Sequence, residues 1–392
     1  MLELRTRLAA AAAAAAVACV VVATVAAGAP PAAAATKTAF VVGFVNTTQG
    51  PIAFPGLTDG AQAAVQYVNA HGGINGHPLV LAVCDLDATP EKNLACGQQF
   101  ANDSRLKLID TGFTLSPGAF YSAVTPTGLP VIQSYPASDA EYLAPNAVAY
   151  NGGAPGATVG TAELANAIKA QTVARYVNDV VGSVGYTNFF MARFKGPKAG
   201  VKNIAVPATA TDALPYLLQG GSATADFNMV AVSNCLPFAR ALAQLGVPGT
   251  KVAAASSCIV PNQVGPNAGL FEGWRTAFFF QDAGFGPITP NLKTLINEYP
   301  KYAKLPTTPN FPSLVSQGWG TILTLQNVLR GVPDSVLNNK AALLKVMKAY
   351  RGPGNLTAPT MKCGSVSGLP SLCTTYTMKG QNRGGKFYRI AG

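Results

Sequence analysis

Residues 39–81, AFVVGFVNTTQGPIAFPGLTDGAQAAVQYVNAHGGINGHPLVL, restrict the fold more than any other stretch. An apolar run from Phe40 to Val45 leads into a polar loop, an amphipathic helix, a stop at Gly72-Gly73 and a second apolar run. Apolar runs of this length, bounded by turn residues, read as strands buried on both faces. Strands of that kind lie parallel in a sheet, with the intervening helix packed back over them. Glycines end such a helix well because they adopt the left-handed backbone without steric cost.

The rhythm recurs along the chain. Thr89-Pro90-Glu91 is a helix start: a capping hydroxyl, a proline at the first helical position and a carboxylate facing the positive end of the dipole. LKLID (106–110) and LPVIQ (129–133) read as the third and fourth strands. At NGGAPG (151–156) the pattern breaks, and a fresh helix (157–170) and strand (174–177) begin. NIAVP (203–207), FNMVAV (227–232) and residues 252–255 continue as strands. The aromatic run 276–281 then passes into GFGPITP, followed by helical stretches at 313–329 and 340–350. The expected fold class is α/β, with two doubly wound, Rossmann-like lobes joined by a three-strand hinge crossing near 151–156, 276–286 and 351–358. Lobe 1 is expected to hold 36–153 plus 282–352, and lobe 2 to hold 154–281 plus 353–392.

Residues 1–35 read as an export signal. Arg5 and Arg7 supply the positive start, the Ala/Val run to Ala26 the apolar centre, and Ala33-Ala34-Ala35 a small-residue cleavage site. An uncleaved anchor is the rival reading of that run, and Cys19 is a candidate lipid-attachment cysteine. The remaining 36–392 are too many residues for one ordinary core. The chain is basic, with a formal net charge of +11, but charged residues are only 11% of it and are scattered. No basic face of the kind that binds nucleic acid is legible. The densest basic region, Lys379 to Arg389, is interrupted by glycines and reads as a solvated tail.

Of the seven cysteines, six lie beyond the signal, an even number in an exported chain, which points to disulfides. Cys84 ends the second strand and Cys96 lies in the next helix. Cys235 and Cys258 each follow a strand, and Cys363 and Cys373 flank a short Gly/Ser/Pro loop. The expected pairs are therefore Cys84–Cys96, Cys235–Cys258 and Cys363–Cys373. No CxxC occurs, and the two histidines, His71 and His77, share a turn, so no metal site and no cofactor is expected.

The stretches GAQAAVQYVNAHGGINGHPL (60–79), TGLPVIQSYPAS (127–138) and the Cys235–Cys258 segment with its helix PFARALAQLGV resemble the extracellular solute-binding proteins of ABC importers of the leucine/isoleucine/valine type. The resemblance implies a type I periplasmic binding protein fold: two lobes closing on one small molecule, with membrane permease subunits as partners and a monomer as the working form. It also implies a ligand site on the loops after the strands, where open parallel sheets place their binding loops. Phe54 falls where relatives put a ring over the ligand. In the loop DTGFTLSPG, Phe113 and Thr114 match a ligand-gripping segment at a helix start, where anions are favoured. Tyr135 and Ser138 fall in the hydroxyl-rich segment after the fourth strand, and Tyr186 and Ser257 in the second lobe. Phe113 and Tyr135 as core aromatics, and Thr114 and Ser138 as helix caps, are the rival readings.

One departure matters. Amino-acid-binding relatives carry a second-lobe carboxylate for the ligand ammonium, and the matching segment here, SSCIVPNQ (256–263), has none. An ammonium desolvated without a partner is costly. An amide, an aromatic or aliphatic carboxylate, or a larger apolar compound therefore stands beside an amino acid as the expected ligand. A ligand-sensing protein not coupled to transport, and more remotely a secreted hydrolase, are the alternatives. For the hydrolase, no GxGxxG follows the first strand, no GxxxxGK[ST] occurs, and GSVSG (364–368) has Val366 where a nucleophile belongs.

Overall fold

The computed structural model describes residues 37–391 except 51–52, 179–185, 208, 233–234, 256–263, 283–285 and 308–313. The expected signal segment 1–35, with Cys19, lies outside the described residues, as do Ser257 and Cys258.

Two sheets organise the chain. The first has the order β2-β1-β3-β4-β5, all parallel: β1 (Phe40–Thr47), β2 (Leu79–Leu86), β3 (Leu106–Thr111), β4 (Val131–Gln133) and β5 (Ala147–Val148). The helices α1 (Pro55–Ala70), α2 (Pro90–Ala101), α3 (Pro117–Val124) and α4 (Asp139–Tyr142) alternate with its strands. Each of the first three opens on a proline, which lacks the N–H that a helix start leaves unpaired. Thr89 caps α2 through its side chain, as expected. Between α1 and β2, Gly72, Gly73, Asn75 and Gly76 all take positive φ, which is why this turn is built of glycine and asparagine.

Both faces of this sheet are covered. Phe40, Val42 and Phe44 pack with α1 and the helices Pro290–Tyr302 and Val315–Leu329, while Val45, Leu106 and Ile109 face α2 and α3. Helix α1 and Val315–Leu329 approach closely. A β-carbon on Gly60 would lie 2.2 Å from the Val315 carbonyl oxygen, and one on Gly318 would lie 2.0 Å from that of Leu57.

The second sheet has the order β12-β11-β10-β9-β8-β6-β7. Its parallel strands are β6 (Val173–Asn178), β7 (Val201–Val206), β8 (Phe227–Ala231), β9 (Val252–Ala255) and β10 (Arg275–Phe278). The helices α5 (Gly153–Ala167) and α6 (Tyr186–Arg193) cover one face, and α7 (Leu214–Gly220) and α8 (Leu236–Gln244) the other. The basic segment expected as a solvated tail is instead a hairpin of β11 (Met378–Arg383) and β12 (Lys386–Arg389), added antiparallel to β10. Its alternation explains this: Met378, Gly380, Asn382 and Phe387 turn inward, Lys379 on the other face pairs with Glu163 of α5, and Arg383, Lys386 and Arg389 are exposed. Gly384 and Gly385 make the turn with positive φ.

The chain passes between the sheets three times, which completes the type I periplasmic binding protein architecture. The first passage, 149–152, follows β5, and the second leaves β10 at 279 and leads to the helix Pro290–Tyr302. The third comes later than the GPGN run. Residues 361–373 pack back on the first sheet, with Ala149 N–H donating to Ser371 O and Cys373 N–H to Ala149 O, and the passage follows at 374–377. The second passage is tied to residues 356–357, where Gln281 N–H donates to Leu356 O at 2.6 Å and Thr357 Oγ1 donates to Phe279 O at 2.7 Å, and Gly152 of the first passage lies against Tyr376 of the third.

Cys84–Cys96 and Cys363–Cys373 are disulfides, as the sequence predicts. Cys235 is also disulfide-bonded.

Candidate functional site

The carboxyl ends of β1, β3 and β4 bring Phe54, Phe113, Thr114, Tyr135 and Ser138 together in one seam. Asn46, at the end of β1, ties the loops that carry them. Its Nδ2 donates to Phe54 O (2.8 Å) and Thr58 Oγ1 (2.9 Å), and its Oδ1 accepts from Phe113 N–H (3.0 Å). Gly112 allows this approach, since a β-carbon there would lie 2.8 Å from Asn46 Oδ1.

Four rings then run edge to face. Phe54 meets Phe113 at 5.0 Å between centroids, Phe113 meets Tyr135 at 5.3 Å, and Tyr135 meets Phe279 at 5.1 Å. Such geometry suits the ring quadrupoles and makes a stiff apolar wall. Phe54, Phe113 and Tyr135 are only partly buried, so neither a pure core role nor a purely exposed one describes them. Phe279, in the second passage, was not singled out from the sequence, although the aromatic run 276–281 signalled it.

Ser138 stands at the N-cap position of α4 but makes no side-chain cap bond, and both hydroxyls turn to one acid: Thr114 Oγ1 donates to Glu141 Oε1 (3.2 Å) and Ser138 Oγ to Glu141 Oε2 (3.1 Å). Ala137 N–H donates to the same Oε2 at 2.8 Å. Glu141 is fully buried, and burial pushes its carboxyl up to about 7 against these three donors. Its signal was present in the sequence as Ser138-x-x-Glu141, a capping-box spacing. In the structure the two side chains bond each other instead of the helix N–H groups.

Asp110, at the end of β3, is also fully buried and raised to about 7 by burial, opposed by a hydrogen bond from Ser134 Oγ (2.9 Å). Its Oδ2 has no partner among the described residues. Neither acid forms an ion pair among the described residues.

In the second lobe, Tyr186 begins α6, and Ser257 lies outside the described residues. Arg175 on β6 is fully buried without an acid partner among the described residues. Its Nη1 donates to Asn203 Oδ1 (2.6 Å) and Thr187 Oγ1 (3.0 Å), and its guanidinium lies 4.7 Å from the Phe190 ring centre. Nη2 has no partner among the described residues, and burial holds the group down to about 10.

The histidines stand apart from this seam. His71 Nδ1 bonds Tyr67 O, and His77, just before β2, bonds Thr38 O and Asp334, at the opposite end of the first sheet. Among the described residues no group of His, Cys, Asp and Glu is arranged to hold a metal, and no helix is long and apolar enough to cross a membrane.

Two doubly wound sheets joined by three passages, with an aromatic seam along strand ends, define a two-lobed binding protein of the kind that closes on a small solute. The periplasmic binding protein family model matches residues 39–356, and the chain belongs to that family. No curated protein matches the chain. Solved structures share its fold at low identity. A solute-binding protein of an ABC transporter from R. palustris, in complex with 4-hydroxybenzoate, is 16% identical, with 91% of this chain and 96% of that one covered and a TM-score of 0.71. A leucine-binding protein from Thermotoga maritima is 14% identical (90% and 98% covered, TM-score 0.70). A fatty acid ABC transporter substrate-binding protein from Thermomonospora curvata is 14% identical (91% and 92% covered, TM-score 0.71).

Proposed function

We propose that this protein is the extracytoplasmic substrate-binding subunit of an ABC importer, exported by its N-terminal segment. In this reading it captures one small, largely apolar or aromatic organic solute between its lobes and delivers it to membrane permease subunits as a monomer. The observation that carries the reading is the row Phe54–Phe113–Tyr135–Phe279. Concave ligand sites are mostly apolar with a few placed polar groups, and this row supplies the apolar wall. Relatives described with 4-hydroxybenzoate and with fatty acid are consistent with such a wall.

Closure follows from the three passages. A solute that touches both lobes binds the closed form better than the open one, and this difference in affinity drives the hinge. Branched aliphatic amino acids fit poorly, because segment 256–263 offers no carboxylate to a ligand ammonium.

A thermal-shift screen of amino acids, amides, aromatic acids, fatty acids and sterol-like acids tests the proposal. A true ligand at a thousandfold excess over its Kd stabilises by about 4 kcal/mol. Stabilisation confined to leucine, isoleucine and valine would contradict it.

A further inference from the structure

Thr114 Oγ1 and Ser138 Oγ each own a single proton, and both point it at Glu141. An ionised carboxylate only accepts hydrogen bonds, so while Glu141 is charged neither hydroxyl has a proton left for the seam. What they offer outward is lone pairs, with a buried negative charge behind them. A second buried acid, Asp110, lies in the same loop cluster, and no basic side chain pairs with either acid among the described residues. Resting on the solute-capture reading above, we propose that Glu141 sets this half of the site to accept hydrogen bonds, so that the solute presents an N–H or O–H donor here and not a carboxylate.

The arrangement inverts the expectation drawn from the loop DTGFTLSPG. A carboxylate placed against Thr114 and Ser138 meets acceptors and a like charge, whereas a primary amide or a phenol finds two oriented oxygens. Rejection of the wrong end is then built in, since a mismatched polar group is left desolvated and unpaired. Glu141 itself is a positioning residue that acts through the two hydroxyls; all three side chains are buried, Glu141 completely.

The test is calorimetry at pH 8 on the purified protein with near-isosteric pairs: benzamide and benzoate, cinnamamide and cinnamate, hexanamide and hexanoate. In the wild type the amide of a binding pair is expected to win by at least about tenfold. In Glu141→Gln the amide nitrogen must donate to one hydroxyl and turn that hydroxyl's proton outward, so the preference shrinks or reverses. Thr114→Val provides a second variant: it removes one acceptor and weakens the amide without weakening the carboxylate. A change in the amide-to-carboxylate ratio is not produced by mere loss of stability, which the unfolding midpoint of each variant monitors. Carboxylates that bind more tightly in the wild type, or a ratio untouched by both substitutions, would overturn the proposal while leaving the cleft reading intact. Absence of binding by every pair would overturn both.

Discussion

The Phe113 N–H donates to Asn46 Oδ1 at 3.0 Å, which fixes the loop after β3 to the end of β1 before any solute is present. The same amide holds Phe54 O and Thr58, so one side chain sets the spacing of two rings in the aromatic row.

Asn46→Ala is therefore expected to cost about 2–4 kcal/mol, because several buried polar groups lose their partner at once. Urea unfolding measures the loss. Solute affinity should fall as well, since the Phe54–Phe113 contact is no longer held in place.

Glu141 and Asp110 make stability depend on pH. Their folded values, about 7, lie above the ordinary carboxylate range, so the folded state holds protons that the unfolded state has released between about pH 4 and 7. That contribution is fully present below the unfolded value and is lost as pH rises through 7. Unfolding midpoints should rise from pH 8 to pH 5, and the rise should flatten in the Glu141→Gln, Asp110→Asn double variant.

Helix α1 and Val315–Leu329 approach too closely for a methyl group. Gly318→Ala is expected to destabilise by about 1–3 kcal/mol, because the atom met is the Leu57 backbone oxygen and cannot rotate away. Gly118→Ala, in α3 with nothing within 4 Å, should instead stabilise by about 0.5–1 kcal/mol. Paired chemical denaturation of the two variants checks both signs.

Arg175 is a buried cation with no acid partner among the described residues. Arg175→Met is expected to leave stability unchanged or raise it by about 1–3 kcal/mol, as when other poorly compensated buried charges are replaced by apolar groups. A loss above about 2 kcal/mol would show that the guanidinium is fully engaged.

Much of the first sheet was legible because its elements keep a clean period: the run 40–45, the α1 stripe and the glycine turn agree with one another. The helix Pro290–Tyr302 carries the same Thr-Pro start as α2, and Thr289 accepts from Leu292 N–H just as Thr89 does from Lys92, yet the glycines before it masked the signal. The β11–β12 hairpin was hidden because lysines and glycines outweigh its buried alternation in any compositional reading. The rings of the site were legible as residue types at strand ends. The direction of the Thr114 and Ser138 protons was not, since it depends on Glu141 lying beneath both, a contact across 27 residues in one case.

The central claim is that the aromatic seam holds the solute. Isothermal calorimetry of the purified protein and of Phe113→Ala, against the best-stabilising aromatic or apolar compound and against leucine, tests it most directly. The account predicts saturable binding of the aromatic or apolar compound, weakened at least about tenfold by the loss of the ring, with leucine weak or silent. Tight leucine binding that Phe113→Ala leaves unchanged would contradict it.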